Sequence, residues 1–270
     1  MSDRVTVVID AHGVADVRLN RPDKLNALDP PMFAALGATG TDLAASPSLR
    51  AVVLSGAGRA FCAGLDFGSF MAIAGGAEGA GGGGLLACEG TSAATRAQMA
   101  GWVWATLPVP VIAAVHGVAY GGGLQIALGA DIRFVAPEAR LSVMEITWGL
   151  VPDMSGTQTL RHLVRLDVAK ELTFTGRVVS GTEAVALGLA THLADDPHTA
   201  AMALAHEIAS KSPDAIRAAK RLLNEASVVS HDEGLRLEAH AQARLVGSAN
   251  QLEAVQANLE RRPPAFRDPG

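Results

Sequence analysis

Three consecutive glycines, Gly121, Gly122 and Gly123, stand in HGVAYGGGLQIALGADIRF, residues 116 to 134, between an apolar run and a helical one. A strand-to-helix junction without side chains lets the main chain approach a ligand and aims free N–H groups at it. The helix dipole adds to the attraction for negative charge. Phosphate is the obvious candidate, but no Lys-Ser or Lys-Thr follows the glycines, and residues 121 to 126 do not read G-x-G-x-x-G. A second glycine-bearing turn, SGAGRAFCAGLDFGSF, follows the valine-rich run RAVVLSG. Two such turns, each after a buried strand, could supply one N–H apiece to a single oxygen. Donors placed where negative charge develops are worth about 10²–10³ in rate each.

The elements that must hold these turns are legible in the surrounding pattern. VTVVID and VADVRLN form a pair of strands around the turn AHG. RAVVLSG at 50–56 and VPVIAAV at 109–115 are buried strands, and DIRFVA and ARLSVMEI are two more, split at Pro137. Helical segments lie at 30–45, at roughly 92–106 and at 121–129, which makes the fold class α/β. After residue 156 the chain is nearly all helix, so the expected division is a core over 1–200 and a C-terminal helical region over 201–270. Ser155-Gly156-Thr157-Gln158 predicts a capping box, and Ser212-Pro213 opens a further helix. The segments 231–246 and 248–260 are amphipathic, able to pack on the core or on a second subunit. The tail RRPPAFRDPG stays loose unless something holds Phe266. The glycine-rich stretch 75–90 reads either as a surface insertion or as a lid that orders on substrate.

Composition removes several functions. The net charge is −5 and no basic run is interleaved with aromatics, so nucleic acid is a poor partner. Cys62 and Cys88 are too few for a disulfide framework and lack metal spacing; they fit a reducing cytosol. No metal-ligand cluster is visible. MSDRVTVVID is charged and strand-like, unlike a signal peptide. The uncharged stretch between Arg96 and Asp131 could pass for a membrane span, but Pro108, Pro110 and the glycines break it.

With both glycine turns in view, the chain resembles the crotonase superfamily, the enoyl-CoA hydratase/isomerase family. The resemblance runs from RLNRPDKLNAL through VVLSGAGRAFCAGLDF, PVIAAVHGVAYGGGLQIALGADIRF and MEITWGLVPDMSGTQTLRHLV to RRPPAF. It implies a spiral of repeated strand–strand–helix units, a helical C-terminal region that assembles trimers or hexamers, and an acyl-CoA substrate. It also implies that the thioester oxygen is held by two backbone N–H groups, which by motif are those of Leu65 and Gly122. Ala63, Gly64, Asp66, Gly121 and Gly123 would then line the substrate, with adenine and pantetheine running along residues 60 to 68.

In hydratases of this family two glutamates handle the water. The first falls three residues after the middle glycine, where this chain has Gln125. Three residues apart on a helix is the same face. Gln125 should look into the site, but an amide cannot accept or return a proton. The second glutamate corresponds to Glu145, beside Met144, Ile146 and Trp148 at the expected end of a strand. Apolar surroundings would raise its pKa and suit it to act as a base. Asp153 stands where hydratases usually have glycine and resembles the dienoyl-CoA isomerase branch; the plainer alternative is a helix cap. His116 and Tyr120 are expected to pack and to satisfy hydrogen bonds. A basic residue usual two places after Asp66 is Gly68 here, leaving Arg59 as the candidate phosphate contact.

The expected activity is therefore movement of a double bond in an acyl-CoA, with Glu145 carrying the proton and Asp153 as a second relay. The alternatives are a hydratase working without the acid replaced by Gln125, or an acyl-CoA-binding protein with little catalysis. No metal or redox cofactor is called for, since coenzyme A is part of the substrate. The expected location is the cytoplasm.

Overall fold

A computed structural model describes residues 4–68, 82–88 and 93–269. Its main sheet has six strands in the order β1-β2-β3-β4-β6-β9. These are β1 Val5–Ile9, β2 Val14–Leu19, β3 Ala51–Gly56, β4 Val111–Val115, β6 Ile132–Val135 and β9 His192–Leu193. β1 and β2 are antiparallel and every other pair is parallel. β3 and β4 are buried along their whole length, as continuous apolar runs require when a parallel strand is covered on both faces. A smaller sheet holds β5 Val118–Tyr120, β7 Arg140–Ser142 and β8 Val179–Ser180 in the order β5-β7-β8.

Strand alternation divides the interior in two. Ala15, Val17, Val52 and Leu54 face the larger core, which includes Phe33 and Leu36 of α1 (Pro30–Ala44) and Trp104 of α2 (Arg96–Thr106). Val14, Ala51, Val53, Ile112 and Ala114 face the other side, where α7 (Pro197–Ala209) covers them with Ala201 and Ala205. Residue 200, taken from the sequence as the end of the core, lies inside this helix. Between these come α3 Gly122–Leu128, α4 Gly156–Leu163, α5 Leu166–Thr175 and α6 Gly181–Leu187. The C-terminal helices are α8 Pro213–Ala226, α9 His231–Leu245 and α10 Ala249–Glu260. α8 is anchored by the buried Lys220, whose Nζ donates to Trp104 O, Val109 O and Asp131 Oδ2. No described helix is long and apolar enough to cross a membrane.

Three expectations change. Strand β5 was not anticipated: it is three residues long, and Gly117, with φ +61, turns the chain into it immediately after β4. Ser155 does not form the capping box, because its φ of +70 turns the hydroxyl away from the helix and no cap hydrogen bond is made. The C-terminal tail is not loose. Asn250 exchanges hydrogen bonds with Arg267 N and O, Glu253 accepts from Ala265 N and pairs with Arg262, and Arg50 pairs with Asp268. The stretch 75–90 lies largely outside the described residues, of which Gly82–Leu85 form one helical turn.

Candidate active site

The loop after β3 lies along β5. Cys62 N donates to Val118 O, and Tyr120 N donates back to Cys62 O. On the loop's other side Leu28 N donates to Gly64 O and Asp66 N to Leu28 O. Gly64 takes φ +87, and a Cβ there would stand 2.6 Å from Tyr120 O and 3.8 Å from Gly122 N. The Gly64–Leu65 peptide thus lies against the first amide of α3. Neither the Leu65 nor the Gly122 N–H donates to another described residue.

The bare backbone at 121–123 approaches the protein itself. A Cβ at Gly123 would meet Cys62 O at 2.4 Å, and one at Gly122 would meet Met154 Sδ at 2.5 Å. One at Gly121, where φ is +51, would stand 3.3 Å from Glu145 Oε1. These glycines let the start of α3 press against the 62–65 loop on one side and the Glu145 carboxyl on the other. The Gly121 N–H is occupied by Ser142 O.

Asn26 is a structural residue that inspection of the sequence passed over. Asn26 Oδ1 accepts from Arg21 N, and Nδ2 donates to Ala57 O, Ala60 O and Phe61 O, which fastens the loop leading to Gly64. Its signal was weak: a lone asparagine in RPDKLNAL, here with φ +56, a region that asparagine tolerates better than most residues. Replacing it with aspartate would point a carboxylate at three carbonyl oxygens. Asn26→Asp is expected to cost about 3 kcal/mol or more, measured by denaturant unfolding.

Glu145 opens a 3-10 turn, Glu145–Trp148, and does not sit at a strand end, because β7 stops at Ser142. Only 9% of its surface is exposed. Oε1 accepts from Gln125 Nε2 at 2.6 Å, while Oε2 is buried with no hydrogen-bond partner. Burial pushes the carboxyl above the ordinary glutamate range and the nearby charge of Asp153 adds to this, against hydrogen bonds from the backbone and Gln125 that favour the ionised form. The expected apolar wall is different in kind: Ile146 is 45% and Trp148 52% exposed, so it is the close approach of α3 that desolvates the carboxyl.

Gln125 is 2% exposed and faces Glu145, as the three-residue spacing predicts. Its Oε1 accepts from Met154 N and Gly156 N, both at 2.8 Å. The amide therefore takes up the first N–H of α4, while Gln158 N and Thr159 N donate to Ser155 O. Asp153 lies at the start of this turn and is exposed, though the protein beside its carboxyl still desolvates it enough to raise its pKa. It does not cap α4 by a side-chain hydrogen bond.

The remaining candidates spread along the rim. Asp66 pairs with Arg21 at 2.7 Å and accepts from Gly68 N. His116 Nε2 contacts Gly58 O, and the Tyr120 hydroxyl accepts from Arg140. Arg59 is exposed. The rings of Phe67 and Trp148 pack at a tilt of 44° with centroids 3.8 Å apart, which brings the loop carrying Leu65 against the 3-10 turn carrying Glu145.

The sequence and fold are shared with known proteins. The family model for enoyl-CoA hydratase/isomerase matches residues 10–269, and the chain belongs to that family. Its fold is the crotonase α/β fold with a helical C-terminal region. It is 33% identical over 263 residues to the human mitochondrial enoyl-CoA hydratase domain-containing protein 2, covering 94% of this chain and 85% of that one. The crystal structure of an enoyl-CoA hydratase from Bacillus anthracis superposes with a TM-score of 0.88 at 30% identity, covering 98% and 100% of the two chains. That of an enoyl-CoA hydratase from Mycobacterium tuberculosis H37Rv gives 0.85 at 28%, covering 99% and 100%.

Proposed function

We propose that the chain moves a carbon–carbon double bond in an acyl-CoA thioester by proton transfer. Glu145 takes a proton from the carbon next to the thioester, electrons flow toward the thioester oxygen, and the N–H groups of Leu65 and Gly122 hold the resulting enolate. The proton returns at the γ carbon, from Glu145 or through Asp153, and the enolate collapses to the conjugated product. Atoms and charge balance without a metal or redox cofactor. Ala63, Gly64, Asp66, Gly121 and Gly123 would shape the groove for the thioester, as lining main chain or as packing beneath it.

One observation carries the reading: Glu145 is a buried carboxyl with a free oxygen, and an amide occupies the place of a second acid beside it. A base with a raised pKa beside an immobile hydrogen-bond donor suits a proton that leaves and returns. Hydration is the second reading. It is favoured by the names of the relatives and by Asp153, whose raised pKa could supply the other acid. We further propose a cytoplasmic homotrimer or hexamer, supported by exposed Leu223, Leu235, Leu252, Val255 and Leu259 on the C-terminal helices.

Purified protein mixed with 2-enoyl-, 3-enoyl- and 3,5-dienoyl-CoA, followed by absorbance, tests the proposal. Conversion of a 3-enoyl- or 3,5-dienoyl-CoA at least about tenfold faster than hydration of the 2-enoyl ester is expected, a difference of about 1.4 kcal/mol in barrier. Brisk hydration with no double-bond shift would establish the second reading. Binding of all three esters without turnover would leave an acyl-CoA-binding protein.

A further inference from the structure

Resting on the reading of Glu145 as the base, we infer that Gln125 is a positioning residue, whose single amide fixes the base against the turn that carries Asp153 and leaves Glu145 Oε2 as the free oxygen. The amide can be placed only one way round. Its oxygen end faces two backbone N–H groups, Met154 and Gly156, which an NH₂ group could not satisfy. The NH₂ end must then face Glu145, where it donates to Oε1. Met154 directly follows Asp153 in the chain, so the same side chain bonds the Glu145 carboxyl and the backbone of the turn that carries Asp153.

The surroundings are cut to this amide. A Cβ at Gly156 would stand 2.6 Å from Gln125 Oε1, and one at Gly121 would crowd Glu145 Oε1 at 3.3 Å. Ser155 leaves its hydroxyl unpartnered and does not compete for the end of α4. An ionised carboxylate only accepts, a lysine only donates and an aliphatic chain does neither, whereas the neutral amide does both without a titratable proton. Restoring an acid at 125 should therefore disturb the base and not simply complete a hydratase pair. In Gln125→Glu one oxygen would keep the two N–H donors and with them the negative charge. The other would face Glu145 Oε1 at hydrogen-bond distance, where two carboxylates can only share a proton. Asp153 is the titratable side chain whose charge already reaches Glu145, and it raises the proton affinity further.

Carboxyl ¹³C NMR of the full chain without substrate, with the Glu145 signal assigned by Glu145→Gln, tests this independently of any reaction. In Gln125→Glu the Glu145 midpoint should rise by about one pH unit or more. The acidic limb of kcat/KM should move up with it, so that the rate on that limb falls about tenfold for each unit of rise and recovers at higher pH, with KM little changed. Gln125→Leu should lose rate that higher pH does not restore, since the carboxyl is no longer held. An unmoved Glu145 midpoint and an unmoved limb in Gln125→Glu would overturn the inference. A midpoint that rises in a protein inert on every acyl-CoA would preserve the inference about Gln125 and overturn the proposed activity instead.

Discussion

Glu145→Gln is expected to abolish turnover while leaving the fold and acyl-CoA binding in place. The substitution is nearly isosteric, and the new carbonyl oxygen can still accept the hydrogen bond that Gln125 Nε2 makes to Oε1. What is lost is the ability of the free oxygen to take a proton. General acid–base catalysis contributes about 10²–10⁴-fold, so kcat should fall by that factor with KM within a few-fold of its starting value. A variant that kept more than about a third of the rate would move the base elsewhere, Asp153 being the next carboxyl to try.

The same variant carries a stability signature with a definite sign. Burial raises the Glu145 pKa in the folded chain, so between the ordinary glutamate value and the raised one the folded state binds more protons than the unfolded state. Stability of the parent protein therefore falls as pH rises through that window, by the cost of ionising a buried carboxyl. The variant has no such group at 145. Its melting temperature relative to the parent should climb from acid toward neutral pH, and the gap should close below the ordinary glutamate pKa. Asp153 is shifted in the same direction mainly by its own burial, which both proteins share, and relief of its repulsion with Glu145 in the variant adds to the same trend. A difference that shrinks on going from acid to neutral pH would show that Glu145 is stabilised as a carboxylate, contrary to its burial.

The parts of this molecule that could be read from sequence are those where one local pattern had one physical solution. β3 and β4 are unbroken apolar runs and could only be interior strands. Pro30 and Pro213 sit in the first turn of their helices, where a missing N–H costs nothing. Gln125 faces the site because helical spacing leaves it no choice. Where the outcome depended on partners distant in the chain, the sequence was ambiguous. Ser155 has the residue type of a cap, but its left-handed φ leaves the hydroxyl without a cap bond, and Gln125, thirty positions earlier, takes the first N–H of α4. The tail looked like a free end because Asn250 and Glu253, which hold it, belong to a helix read only for its amphipathic face. Burial of Glu145 likewise involves Gly121 and Gln125, distant in the chain, and not only its sequence neighbours, so the direction of its shift was legible and the cause was not.

Gly64→Ala should cost both rate and stability through a single methyl group. The residue takes φ +87, where an L side chain costs about 1–2 kcal/mol. Its new Cβ would also stand 2.6 Å from the Tyr120 carbonyl oxygen, a backbone atom that β5 holds in place. Relief requires the 62–65 loop to back away from the start of α3, and on the proposed mechanism this parts the Leu65 and Gly122 N–H groups. Loss of one donor costs about 10²–10³ in rate, while strain and overpacking together cost about 2–5 kcal/mol in stability. Gly247→Ala separates the two effects, since Gly247 has φ +79 but nothing within 4 Å of a Cβ. That control should lower stability by only about 1–2 kcal/mol and leave kcat/KM of the folded protein unchanged. If Gly64→Ala at a temperature where it is fully folded kept its rate within a few-fold, the amides of Leu65 and Gly122 could not be the pair that holds the thioester oxygen.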